Sequence, residues 1–379
     1  MQGVDDLAAL HDEGLARAAA LPCDELRRQY HPDLSPVGWH IGHCALTESY
    51  WLREIVLGDS PADESLQALY FPENSRKDRR ATALPPRDEL LAWADHTHRD
   101  NRALATELAE RMPEHALLRD GYLLDFLAQH YAQHLETMAY VLAQRALNAP
   151  EPEARVGEPA PRSPAPEGVA LAGGRFLLGS NALAAYDNEQ PSHEVTLASA
   201  TLARDPVGNA EFLAFIEDGG YRRPELWTTA GWHWRETAGI EQPVFWRGAS
   251  GQRVEVTPDG PRALSPDAPV AGLGYWEADA FARWAGARLP HEHEWEALAT
   301  DGALRGVGQA WEWCGNALFP YPGFRAFPYE GYSMPWFDGN HYVLRGGSEH
   351  TRDAVRRVSF RNFYEPDKRH LFAGLRLAW

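Results

Sequence analysis

The chain has 379 residues, with 54 acidic against 36 basic side chains, a formal net charge of −18 and a pI near 5.3. Nucleic acid and anionic membrane surfaces demand clustered Lys and Arg, so neither is expected as a partner. A hydrophobic content of 44% with 14 Trp is enough for two domains with sizeable cores, while the only cysteines, Cys23, Cys44 and Cys314, lack framework spacing and fit free thiols in a reducing compartment.

The first residues, Met-Gln-Gly-Val-Asp-Asp, lack the basic and apolar regions of a signal peptide. No run approaches the roughly 18 apolar residues of a membrane span, so a soluble, cytoplasmic protein is expected. Four helices are predicted near 3–29, 36–57, 86–112 and 118–147, with Ser35-Pro36 and Pro85-Pro86 where helices begin. Residues 1–147 therefore read as a four-helix bundle.

The second and fourth helices carry the most informative residues. His130 and His134 lie in the stretch Tyr122 to Arg145, which has no Gly or Pro. Residues at i and i+4 share a helix face, so two imidazoles project into one space, and His43 from another helix could complete a half-shell of nitrogen ligands. Imidazole suits zinc, copper, iron and nickel, and three ligands on one side leave positions open. A structural zinc site would normally be closed by four ligands, usually including cysteine, and no Cys-x-x-Cys occurs. With 16 histidines in the chain, a merely hydrogen-bonded pair is the alternative. His40 competes with His43 for the upstream position. Glu136 lies about 200° around the helix from His134 and is expected to hydrogen-bond behind the site.

Residues 148–168 contain Pro150, Pro152, Pro159, Pro161, Pro164 and Pro166, a density that forbids helix interiors and sheet ladders. They read as a linker. From 169 to 379 the texture changes to short β-like runs, Arg175 to Gly179 and His193 to Leu197, with helices expected only near 208–218 and 276–287. This half reads as an irregular α+β domain, which makes the whole chain α followed by α+β.

Particular phrases then point to a family. His31-Pro-Asp-Leu-Ser-Pro-Val-Gly-Trp-His-Ile-Gly-His43, Glu48-Ser-Tyr-Trp51 and His130-x3-His134-x-Glu136 resemble the DinB-like four-helix bundle of the ergothioneine-type sulfoxide synthases. Asn188 to His193, Gly219 to Tyr221, Arg288 to Trp295, Trp311-Glu-Trp313, Leu344 to Ser348 and Gly374-Leu-Arg376 resemble the formylglycine-generating-enzyme (sulfatase-modifying-factor) domain, with its C-type-lectin-like fold. The resemblance covers nearly the whole chain.

It implies a mononuclear non-heme Fe(II) held by His43, His130 and His134, which joins a sulfur or selenium donor to the imidazole of hercynine with O2 as co-substrate. Gln133 matches a position that contacts hercynine. Tyr329 matches the residue that delivers a proton, with Tyr332 beside it. Asn362 would grip the carboxylate or ammonium region of hercynine and Phe363 would face its trimethylammonium group. Tyr364 departs from the family, because synthases that use γ-glutamylcysteine place an ammonium-binding aspartate there. Their paired arginines are also out of phase here, in Arg76 to Pro85, where Arg80 is the remaining candidate. Arg361 to Gly374 is similar to the selenoneine synthase branch, so a selenosugar is the expected donor, with cysteine or γ-glutamylcysteine as the alternative. A DinB-type metal-dependent thiol transferase would leave the second domain without a task. A formylglycine-generating enzyme needs reactive cysteines, and the second half has only Cys314, expected to be a packing residue.

Overall fold

The computed structural model describes residues 2–61, 63–150 and 158–379. The chain forms two compact units, Met1–Asn148 together with His350–Val355, and Ala149–Glu349 together with Arg356–Trp379.

In the first unit, α1 (Gln2–Ala19) is shorter than the sequence suggests, and a separate short helix, α2 (Cys23–Leu26), starts at its N-cap Pro22. Proline has no N–H to donate and clashes with the preceding turn, so one helix cannot run through. α3 (Val37–Ser49) starts at Pro36 and continues as a π-helix over Tyr50–Val56, matching the expected 36–57 segment. Two seven-residue helices follow, α4 (Glu64–Tyr70), capped by the Asp63 carboxylate, and α5 (Lys77–Ala83). Neither was expected from the sequence, because two turns are too few for a helical period to show. α6 (Arg87–Arg111) begins after Pro86, and α7 (Tyr122–Leu147) begins after Gly121.

α1, α3, α6 and α7 pack on one another, and α3 is buried at every residue from Val37 to Glu48. A helix buried all round must satisfy its polar side chains inside the core. Glu48 does so with two histidines: His11 Nε2–H donates to it at 2.8 Å and His98 Nδ1–H at 3.1 Å. The segment 350–355 joins this unit through Thr351, which donates to Glu136 at 2.8 Å, and Arg352, which pairs with Glu13.

The second unit runs β1 (Gly168–Leu171), β2 (Gly174–Leu178), β3 (His193–Leu197), β4 (Ala200–Ala203), α8 (Asn209–Glu217), α9 (Thr229–Ala238), β5 (Trp246–Arg247), β6 (Val254–Thr257) and β7 (Gly260–Ala263). α10 (Tyr275–Trp284), α11 (Glu292–Thr300), β8 (Trp311–Ala317), β9 (Tyr342–Arg345), β10 (Asn362–Tyr364) and β11 (Ala373–Gly374) complete it. The two runs read as strands pair with each other antiparallel, Gly174 opposite Leu197 through Leu178 opposite His193. The largest sheet has the order β10-β9-β8-β11, with β11 parallel to β8.

α8 and α10 match the two expected helices. α9 and α11 were missed: α9 carries Gly231 inside and Gly239 at its end, and α11 lies within a motif whose phrase hides its period. The described part of the proline-rich segment lies along this unit, where Glu158 pairs with Arg253 at 2.7 Å and Arg162 with Asp267 at 2.8 Å. The remainder of that segment, 151–157, falls outside the described residues.

The core of the second unit is ionic as well as apolar. Arg361 grips both oxygens of Glu292, at 2.8 and 2.7 Å, and Arg345 reaches Glu292 at 3.0 Å and Glu296 at 2.6 Å, all four residues being almost fully buried. Removing one partner strands a buried guanidinium. Glu292→Gln should therefore cost about 3–5 kcal/mol in urea unfolding of the full chain. A loss below about 1 kcal/mol would mean that Glu296 alone balances both arginines.

Candidate metal centre

The site grows from α3 and α7. His43 is 6% exposed, and its Nδ1–H donates to the carbonyl of Tyr70, the last residue of α4, at 2.7 Å. Gly42 makes this approach possible, because a Cβ at that position would sit 2.1 Å from the Tyr70 ring. Trp39 stacks on the His43 ring with centroids 4.7 Å apart and planes at 9°, and Arg80 lies over Trp39 at 3.8 Å. Arg80 is itself buried and spends its donors on Ser35 Oγ at 2.6 Å, Ser75 and the Pro72 carbonyl. Expected at a donor clamp, it is found in the wall behind His43.

On α7, His130 and His134 share one half-buried face, with Gln133 beside them. Their Nε2 atoms are 3.2 Å apart, and His43 Nε2 is 3.2 Å from His130 Nε2. His134 Nδ1 is 2.8 Å from Nδ1 of His40. The structure thus brings His43, His130 and His134 together and sets His40 at the back of His134.

Burial lowers the pKa of all four imidazoles, to about 4 for His130 and about 3 for His40. They are neutral rings with one proton each. His43 keeps its proton on Nδ1, because the Tyr70 carbonyl can only accept, so its Nε2 is a bare lone pair. His130 Nε2 faces two nitrogens and can carry one proton. If His134 Nε2 carries the proton instead, the contact between His43 and His130 has none. At most one proton is available for two N···N contacts, and one bound cation would accept all three lone pairs. Nitrogens about 2.1 Å from a metal are about 3.0–3.4 Å from each other at octahedral or tetrahedral angles, and the observed 3.2 Å lies between. The donor set fits a divalent metal with open coordination positions.

A second cluster, His11, Glu48 and His98, has the same residue types and is fully buried. Here Arg102 Nη1 donates to His11 Nδ1 at 2.6 Å. Arginine cannot accept, so His11 carries its proton on Nε2 and points it at Glu48. Burial would raise the Glu48 carboxyl, but the two histidines outweigh it and hold the group below the usual range. The two nitrogens that face Glu48 therefore carry protons and donate to it, although His98 Nε2 is left without a partner among the described residues.

The other sequence-predicted residues lie in the second unit. Tyr329, 44% exposed, sits on extended backbone ahead of the short 3-10 turn Glu330–Tyr332. Tyr332 is half-buried and stacks on Tyr186 with centroids 4.1 Å apart and planes at 14°. Asn362, Phe363 and Tyr364 form β10, so Phe363 faces the opposite side of the strand from the other two. Phe363 packs against the core of Cys314, Leu318 and Val343, and has Trp336 6.2 Å away. Tyr364 lies 6.0 Å from His370. Cys314 is fully buried and its thiol is pushed up by burial, which makes it a packing residue. Sequence reasoning missed Tyr70, which acts through a backbone carbonyl that no side-chain motif reveals.

Residues 7–138 match the model of the DinB superfamily, and residues 153–307 match that of the sulfatase-modifying factor enzyme 1-like domain. A hercynine oxygenase of Mycolicibacterium smegmatis is 34% identical over 99% of this chain and 98% of that protein. One of Mycobacterium tuberculosis is 34% identical over 94% of this chain and 93% of its own length. Ergothioneine biosynthesis protein 1 of Schizosaccharomyces pombe is 25% identical over 66% of this chain and 38% of that protein. Among the described residues, no helix is long and apolar enough to cross a membrane.

Alanine at His43, His130 or His134 should abolish stoichiometric metal binding in calorimetric titration of the purified chain. His40→Ala removes only an orienting partner, so it should weaken binding about 10–100-fold and keep one equivalent. Full binding by His43→Ala alongside none by His40→Ala would reverse the ligand assignment.

Proposed function

The chain belongs to the hercynine oxygenase family, and from that premise we propose that it is an Fe(II)- and O2-dependent enzyme that bonds a chalcogen donor to the imidazole of hercynine. The observation that carries this reading is the gathering of ligand nitrogens of His43, His130 and His134 within 4.8 Å of one another, with His130 Nε2 3.2 Å from Nε2 of each of the other two. Ferrous iron held there would supply open coordination positions and one-electron chemistry with O2.

The protein's own groups bind, orient and move protons. Gln133 lies beside the ligands on α7, where its Nε2 donates to the Gln129 carbonyl at 3.4 Å, and its amide would turn to the substrate. Asn362 would hold the polar end of hercynine, and Phe363 would offer its ring to the trimethylammonium group, which pairs with aromatic faces without needing a hydrogen bond. Tyr329 would be the acid: its phenol can donate a hydrogen bond and give up a proton at Oη, and Tyr332 stands next to it.

For the donor, a neutral selenosugar is preferred to cysteine or γ-glutamylcysteine. Tyr364 stands where an amino-acid donor would need an anion, and Arg80 has its donors committed to Ser35, Ser75 and Pro72. A buried ammonium without a counter-charge costs several kcal/mol, whereas a sugar is held by hydroxyl hydrogen bonds and aromatic stacking.

Aerobic incubation of the Fe(II)-loaded chain with hercynine and equal concentrations of a selenosugar and γ-glutamylcysteine should give mainly the carbon–selenium product by mass spectrometry. A predominant γ-glutamylcysteine sulfoxide would overturn the donor assignment and leave the hercynine reading intact. Tyr329→Phe should keep the KM for hercynine within about twofold while bond formation falls at least tenfold, or oxygen is diverted into oxidising the donor, as expected when only an acid is removed. Unchanged rate and product ratio would make Tyr329 a packing residue.

A further inference from the structure

One buried carboxyl in the second unit has no part in the chemistry above. Asp187 is 3% exposed, and the hydroxyl of Ser333, itself fully buried, donates to its Oδ1 at 2.5 Å. Its Oδ2 is buried and accepts no hydrogen bond among the described residues. Burial pushes the carboxyl up to about 6, against the favourable pull of Ser333 and of the Phe327 and Asn188 backbone N–H groups. An apolar residue would fill such a place without this desolvation penalty.

The two residues that interact with this carboxyl from the loop, Phe327 and Ser333, bracket Tyr329 and Tyr332 in sequence. Around these contacts the loop is largely exposed: Phe327, Tyr329, Met334 and Trp336 are each 38–48% accessible, while Tyr332 is half-buried. The base that carries Asp187 is tied down by hydrogen bonds. Glu189, fully buried, accepts from the Tyr186 backbone N–H at 2.9 Å, from Arg357 at 2.8 Å and from Ser359 at 2.7 Å. The neighbouring Tyr186 ring is the one on which Tyr332 stacks.

We infer that Asp187 is a positioning residue, which holds the Tyr329–Tyr332 loop in its working place by gripping Ser333 from the Tyr186–Glu189 turn. The inference rests on the reading of Tyr329 as the acid. It assigns Asp187 no proton transfer of its own. A misplacement of about 1 Å in a group that must meet a reacting atom can lower the rate about 100-fold, so a single clasp can matter to turnover while leaving substrate affinity alone.

The test uses the full-length, Fe(II)-loaded chain with hercynine and donor. Asp187→Ala should lower kcat about 10–100-fold, keep the KM for hercynine within about twofold, and shift oxygen use toward donor oxidation. Asp187→Asn keeps an oxygen that accepts from Ser333 and should recover most of kcat. Ser333→Ala should reproduce Asp187→Ala, and the double variant should be no worse than either, as groups acting as one unit are not additive. Ser333→Ala removes a single oxygen and carries the same test if Asp187→Ala does not fold. Unchanged kcat in Asp187→Ala or Ser333→Ala, or an Asp187→Asn as impaired as Asp187→Ala, would overturn the inference. Tyr329→Phe, measured beside them, separates the two claims: if it is impaired while the Asp187 and Ser333 variants are not, the acid stands and the clasp falls. If Tyr329→Phe has no effect, both fall.

Discussion

Two hydrogen bonds behind the histidines decide the chemistry of the first unit. His43 gives its Nδ1 proton to the Tyr70 carbonyl, which leaves its Nε2 bare, and with His134 Nδ1 against His40 at most one proton remains for the two Nε2 contacts of the cluster. In a buried region where none of these rings gains by ionising, lone pairs held 3.2 Å apart call for a cation. The remainder of α3 serves that arrangement. Pro36 starts the helix, Trp39 lies flat against the His43 ring, and Gly42 leaves room for Tyr70.

The same unit holds a control for this reasoning. His11, Glu48 and His98 are as close together and more deeply buried, yet Arg102 fixes the His11 tautomer so that a proton already occupies the place a metal would take. Residue type and spacing describe both clusters equally well. What separates them is which nitrogen carries the hydrogen, and a neighbour outside each cluster sets that.

This explains how much was legible in the sequence. His130 and His134 show through the helical period, and His43 through the phrase around it, because helix geometry turns spacing into proximity. The order of a helical unit and an α+β unit was equally visible in the shift from long apolar periods to short runs broken by Gly and Pro. Tyr70 was not visible: it acts through a carbonyl at the end of a helix too short to announce itself. Arg80 was read as a basic residue near the expected clamp, and nothing in the sequence showed that it is stacked on Trp39 with donors on nearby backbone and serines. The pairing of Asp187 with Ser333 spans 146 residues and joins two loops, where no periodicity exists to read.

The central claim is that a metal binds through Nε2 of His43, His130 and His134 while His40 stays outside the coordination sphere. An anomalous-difference map from crystals of the metal-loaded chain tests it most directly. The account predicts a single peak within bonding distance of those three Nε2 atoms, with His40 still hydrogen-bonded to His134 Nδ1. A peak ligated by His40, or one among His11, Glu48 and His98, would contradict it.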